Sequence, residues 1–170
     1  MSLKVINNFD ECLESVEEKH FFIQDGSNQK PAFIVKEKGE FEVINHTSDS
    51  INFLKTDSCI SDSNDTKRCD CAVFNNDTFC FIELKCIRAS KFTTNRKKAE
   101  TQLEATIDNF KDEDILSNKN LEAYVCLNCK IDENDGFESI TQRPRNKDKE
   151  THFLFNLNTR LYYATKKEFN

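Results

Sequence analysis

Residues 69–86 constrain the fold more than any other part of the chain. Cys69-Asp70-Cys71-Ala72-Val73-Phe74 and Phe79-Cys80-Phe81-Ile82-Glu83-Leu84-Lys85-Cys86 are two apolar, β-rich runs. Between them, Asn75-Asn76-Asp77 has the side chains that favour a turn. The pattern predicts two neighbouring strands. Successive side chains of a strand point to opposite faces, so Glu83 and Lys85 share one face while Ile82 and Leu84 take the other. A carboxylate and an ammonium in an otherwise apolar strand are costly to bury without partners. Pairing the two strands brings Asp70 close to Glu83. Two adjacent carboxylates resist ionisation unless a cation joins them, and a hard divalent ion with oxygen ligands meets that need. Mg²⁺ takes one or two carboxylates, keeps several waters and accepts a phosphate oxygen as a further ligand. A lysine beside such an ion can place the attacking water and stabilise charge developing on phosphorus. Asp70, Glu83 and Lys85 therefore read as a phosphodiester-hydrolysing site.

The surrounding elements read as an α/β order. Asn8 as N-cap and Glu11 in the capping-box position, followed by Phe9, Cys12, Leu13, Val16 and His20 at helical spacing, predict an amphipathic first helix. Pro31 to Lys36 and Glu40 to Asn45 are short β-rich segments around Glu37-Lys38-Gly39, which predicts a hairpin. Ile51 to Leu54 is a further strand, followed by a polar loop over 61–66. A helix is expected from about Asn95 to Phe110, with Ala99, Leu103, Thr106, Ile107 and Phe110 on its apolar face. Leu121 to Leu127 reads as a buried strand, and a right-handed crossover should link it to the strand starting at Phe79. His152 to Leu157 and Leu161 to Ala164 are two more strand candidates. Without repeats or a long linker, residues 1–170 read as a single domain.

Asp70, twelve intervening residues and then Glu83-Leu84-Lys85 resemble the signature of the PD-(D/E)XK nuclease superfamily, with Cys69 where the name has proline. The segment Ala99-Glu100-Thr101-Gln102-Leu103-Glu104-Ala105-Thr106-Ile107 is similar to the helix that follows the catalytic strand in many members, and Gln102 matches its glutamine. The likeness covers roughly residues 50 to 128. It implies a restriction-endonuclease-like αβββαβ core, with a central mixed sheet flanked by helices. It also implies a Mg²⁺- or Mn²⁺-dependent nuclease, in defence or repair, whose metal is held by Asp70, Glu83 and the Leu84 carbonyl. Lys85 would serve the attacking water and Gln102 would support it. Members often carry a further acid on the first helix, for which Glu17 is the candidate, a plain solvated charge run being the alternative; Asp57 is another acid that could approach the site or equally cap a turn.

Charge enters in two ways. The net charge of −6 is unusual for a chain that grips a polyanion. Yet Leu84 to Ala99 holds Lys85, Arg88, Lys91, Arg96, Lys97 and Lys98 with no acid, a basic run beside the site where a phosphate backbone would lie. A second basic segment spans Arg143 to Lys149. The partner expected is nucleic acid, DNA more than RNA. The alternative is a catalytically inactive nucleic-acid- or protein-binding module on the same fold, within a larger assembly. The apolar His152 to Leu157 run predicts a strand that either completes the protein's own sheet or leaves a sticky edge, and with the latter a homodimer or a protein partner.

Other signals carry less. The eight cysteines lie mostly in strand-like runs and no export signal precedes them, so reduced thiols in a soluble, cytoplasmic protein are expected. Cys126-x-x-Cys129 with Cys69-x-Cys71 could be drawn as a zinc site, but zinc pairs come from loops or knuckles, and packing is the reading here. His20, His46 and His152 show no ligand spacing. No apolar run nears the roughly 20 residues that span a bilayer, so no membrane partner is expected.

Overall fold

The turn predicted at Asn75 builds the centre of the molecule. Asn75 Oδ1 accepts the N–H groups of Asp77 (3.0 Å) and Thr78 (2.9 Å), and this reverses the chain. In the computed structural model, which describes residues 9–26, 29–60, 68–86, 91–132, 136–139 and 146–170, that turn joins β6 (Cys71–Phe74) to β7 (Thr78–Cys86), paired antiparallel with Cys71 opposite Ile82. β5 (Ile51–Lys55) flanks β6, and β1 (Leu13–Val16) lies outside β5. On the other side, β8 (Asn120–Asp132) and β10 (Thr159–Tyr163) run parallel to β7 and to each other. The order is β1-β5-β6-β7-β8-β10, and β9 (Gly136–Ser139) adds to the far end of β8.

Two layers cover this mixed sheet. On one face lies α1 (Phe92–Phe110), between β7 and β8 in the chain, with α2 (Lys147–Leu157) beside it. Ala99, Leu103, Ile107 and Phe110 meet Phe79, Phe81 and Val125 there. Thr106 is buried with them and is hydrogen-bonded twice. Its Oγ1 accepts the Cys69 N–H at 2.7 Å and donates to the Gln102 carbonyl at 2.8 Å. On the other face a second sheet, ordered β11-β4-β2-β3, packs through Phe21, Ile23, Phe41 and Val43 onto Val73, Ile82 and Leu84. It comprises β2 (His20–Gln24), β3 (Phe33–Val35), β4 (Phe41–Asn45) and β11 (Lys166–Phe169). Among the described residues the protein is thus mixed α/β, with two mixed sheets and two helices. Phe81 sits at the middle of the helix-side core, its ring 4.8 Å from Phe79 and 5.7 Å from Phe110. Phe81→Ala is expected to cost about 3–5 kcal/mol of stability in urea titration, the usual loss for a large buried ring; a cost below about 1 kcal/mol would show that this core is not what holds the layers.

Four expectations are corrected. The first helix is absent from the described residues: Asp10–Cys12 is a single 3-10 turn, and Leu13–Val16 forms an edge strand against β5. Its apolar side chains face two different partners, Leu13 packing under α1 and Val16 between the sheets. Glu17 consequently lies exposed between β1 and β2, not on a helix. The segments around Glu37-Lys38-Gly39 are strands but not a hairpin, because β2 runs between β3 and β4 and pairs with both. Gly39 lies under that crossing: a Cβ there would stand 2.5 Å from the Phe22 Cβ. His152–Leu157 is the second half of α2, capped by Asn146 Oδ1 on the Lys149 N–H (3.2 Å) and ended by Asn158 at φ 49°. The sticky strand edge, and the dimer argued from it, lose that support. Finally, Cys12 and Cys59 form a disulfide, while Cys69, Cys71, Cys80 and Cys126 are buried thiols. No helix among the described residues is long and apolar enough to cross a membrane. The loop at 61–66 lies outside the described residues.

Candidate active site at the rim of the central sheet

Strand alternation fixes which side chains can meet. Phe79 and Phe81 point to the helix side of β7 and Leu84 to the other sheet, so Glu83 and Lys85 follow the phenylalanines toward α1. On β6, Ala72 and Phe74 share that face. Running the register one step past Cys71–Ile82 brings Asp70 opposite Glu83. The contacts follow. The Asp70 N–H donates to Glu83 Oε2 at 3.1 Å, the Leu84 N–H donates to Asp70 Oδ2 at 2.6 Å, and Lys85 Nζ stands 2.7 Å from Glu83 Oε1. Asp70 is 9 % exposed and Glu83 fully buried, whereas the Lys85 side chain keeps 22 % exposure and reaches the surface.

Burial governs the electrostatics. It pushes the Asp70 carboxyl up to about 7, aided by the negative charge of Asp25 and partly opposed by the Leu84 N–H and Lys85. Burial, then Asp70, raises Glu83 well above the usual carboxylate range despite Lys85. Burial alone would lower the Lys85 ammonium, but Glu83, backed by Asp70 and Asp25, holds it above its ordinary value. Among the described residues the site is thus a pair of buried carboxyls with the Lys85 ammonium at its mouth.

Asp57 reaches the site through its backbone, in the turn after β5. Its N–H donates to the Asp70 carbonyl at 3.3 Å, and the Thr56 N–H does so at 3.2 Å. The Thr56 hydroxyl bonds the Cys69 carbonyl, so the turn after β5 clamps the chain on both sides of Asp70. Gln102 donates from Nε2 to the Arg68 carbonyl at 3.3 Å, which supports the entry to Asp70 without touching the carboxylates. Lys97 and Lys98 are exposed and line a cleft with Thr101 and Gln102. Lys91 is exposed at the start of α1. Arg96 instead turns toward the buried Glu100, 3.2 Å away. Arg88 and residues 143–145 lie outside the described residues. Two acids that the sequence reading missed belong to this rim: Asp25 after β2 and Glu40 before β4, both raised by burial, Glu40 to about 7. Their signal was absent locally, because only the packing of the second sheet brings them near. No protein family, characterised protein or solved structure matches this chain.

Proposed function

We propose that this protein is a Mg²⁺- or Mn²⁺-dependent nuclease of the PD-(D/E)XK type, acting on nucleic acid and on DNA in preference to RNA. The observation that carries the reading is the convergence of Asp70, Glu83 and Lys85 at one rim, with both carboxyls held away from ionisation for want of a cation. The finer fold reading belongs here too. The run β5-β6-β7-α1-β8, three antiparallel strands, a helix and a parallel strand, supports a βββαβ core of the kind the resemblance implies.

The donor set fits such an ion. Among the described residues no three His, Cys, Asp or Glu side chains already form a metal cage, but Mg²⁺ needs only one or two carboxylates and retains its waters. Asp70 and Glu83 would hold it, with the Leu84 carbonyl. Bound there, the ion makes its water more acidic and polarises a phosphate oxygen. Lys85, whose Nζ stands 2.7 Å from Glu83 Oε1, would hold the attacking water and stabilise the negative charge that grows on the phosphate. Gln102 keeps the strand entry at Arg68 fixed. Lys91, Lys97 and Lys98 offer the adjoining backbone phosphates three exposed ammonium groups.

Incubation of the full chain with single- and double-stranded DNA and RNA plus Mn²⁺, beside an EDTA control, tests the reading. Metal-dependent cleavage is expected; tight nucleic-acid binding without cleavage or metal uptake would favour the inactive binding module. Lys97→Glu with Lys98→Glu should weaken binding to a DNA duplex, and the dependence of log affinity on log salt should flatten by about one unit per lost phosphate contact. Unchanged affinity and slope would remove this face of α1 from the binding surface.

A further inference from the structure

The turn after β5 holds the chain at Asp70, and a covalent bond holds that turn. Thr56 and Asp57 give their N–H groups to the Asp70 carbonyl at 3.2 and 3.3 Å. Both distances exceed the usual amide bond of about 2.9–3.0 Å, so each grip is weak. The turn closes on itself through the Ile60 N–H, which donates to the Thr56 carbonyl at 3.2 Å. Inside it Ser58 has φ 60°, a left-handed backbone that L side chains rarely adopt. Such a turn keeps its shape where its surroundings impose it. Cys59, next to Ser58, is bonded to Cys12.

Cys12 is a firm anchor. It is buried in the helix-side core with Leu54 and Ile60. Its N–H donates to the Phe9 carbonyl at 3.1 Å, and the Phe9 ring meets Phe110 of α1 edge-on, with centroids 6.1 Å apart. A line of contacts therefore runs from α1 through Phe9 and Cys12 to Cys59, and from its turn to Asp70. Asp70 passes it on, with its N–H on Glu83 Oε2 and its Oδ2 on the Leu84 N–H. The thiols of Cys69, Cys71, Cys80 and Cys126 are fully buried, and burial raises each of them, which makes them poor partners for thiol exchange. Cys59 is half-buried, the sulfur of its pair that a reductant reaches first.

We infer that the Cys12–Cys59 bond is a redox switch on the cation site: closed, it keeps Asp70 in place to take the ion, and opened, it lets the turn and Asp70 relax. The inference rests on the nuclease reading for the ion's place at Asp70 and Glu83, and it adds a control over that site. The partner is a dithiol reductant. One of its thiolates attacks the Cys59 sulfur, the bond to Cys12 breaks, and Cys12 leaves as a thiolate that takes a proton. The second thiolate of the reductant then attacks the mixed disulfide and releases Cys59, which is protonated in turn. Two electrons and two protons pass to the protein, and the dithiol ends as a disulfide.

Mn²⁺ titration of the full chain, oxidised and after reduction by a dithiol that is then removed under argon, tests this, with free Mn²⁺ followed by electron paramagnetic resonance. Reduction should weaken affinity about ten- to a hundred-fold, the usual cost of losing a group that supports a metal ligand, and reoxidation should restore it. Cys12→Ser with Cys59→Ser should bind as weakly as the reduced wild type and should not respond to the reductant. Circular dichroism should show both as folded. Amide exchange should quicken at Thr56 and Asp57 while the Phe81 amide, in the middle of the sheet, stays protected. Equal Mn²⁺ affinity in the oxidised and reduced wild type overturns the inference and leaves the nuclease reading standing. Unchanged exchange at Thr56 and Asp57, or unfolding of the whole chain on reduction, also overturns it, the bond then being a plain staple. No Mn²⁺ uptake in either state overturns both.

Discussion

Glu83→Gln and Lys85→Ala are each expected to remove cleavage from a folded protein. Glu83 is the buried hub of the rim: one oxygen takes the Asp70 N–H and the other faces Lys85. Glutamine keeps an acceptor for that N–H but carries no charge, so the fold should be retained while the proposed metal ligand is lost. The metal-free variant should be no less stable than wild type, because repulsion from Asp70 is relieved. Lys85→Ala deletes the ammonium proposed to meet the developing phosphate charge, and losing such a donor costs about 10²- to 10³-fold in rate. Single-turnover cleavage at saturating enzyme, with circular dichroism on the same samples, checks both. Either variant cutting at the wild-type rate would end the assignment.

The second large effect is on stability against pH in the metal-free protein. Asp70 and Glu40 are raised to about 7, and Glu83 and Asp25 are raised as well. A carboxyl raised on folding keeps its proton in the folded chain at pH values where the unfolded chain has already released it. Its contribution is fully present below the unfolded value near 4 and is lost as pH rises through the folded value. Each unit of difference is worth about 1.4 kcal/mol, so unfolding free energy should fall by a few kcal/mol between pH 5 and pH 8. Mg²⁺ or Mn²⁺ should restore much of it at pH 8, by about 2.7 kcal/mol at a hundred times the dissociation constant. Urea midpoints at the two pH values, with EDTA and with Mn²⁺, provide the measurement. A flat profile that ignores the cation would show that these carboxyls ionise without strain.

The central hairpin and the helix after it were legible because their signals are local. Asn75 makes its own turn, the alternation over Phe79–Lys85 is long, and α1 shows five buried positions at helical spacing. The N-terminal strand was not legible. Four residues of β1 are too few to separate a period of 2 from one of 3.6, and Phe9, Cys12 and Val16 fell on a helical spacing by coincidence. For α2 the information was present but outweighed. Asn146 with Asp148 and Glu150 is a helix start and Asn158 a helix stop, yet the apolar Phe153-Leu154-Phe155 dominated the reading. Asp70, Glu83, Lys85 and Asp57 could be found because short stretches of sequence, or one strand pairing, bring them together. Asp25 and Glu40 could not. Their place depends on β2 entering between β3 and β4, and on that sheet docking against β8, two arrangements without any local signature.

The Cys12–Cys59 bond closes a covalent ring of chain around β1 to β5, and with them Asp25, Glu40 and Asp57. Lys36, Glu37 and Lys38 form an exposed corner inside that ring. A trypsin-like protease that nicks this corner would therefore yield a product of undiminished mass on a non-reducing gel, and two fragments only after thiol treatment. The nick falls between β3 and β4, neither of which pairs with the other, so the severed ends would stay in their own ladders and Asp25 would keep its place beside Glu40.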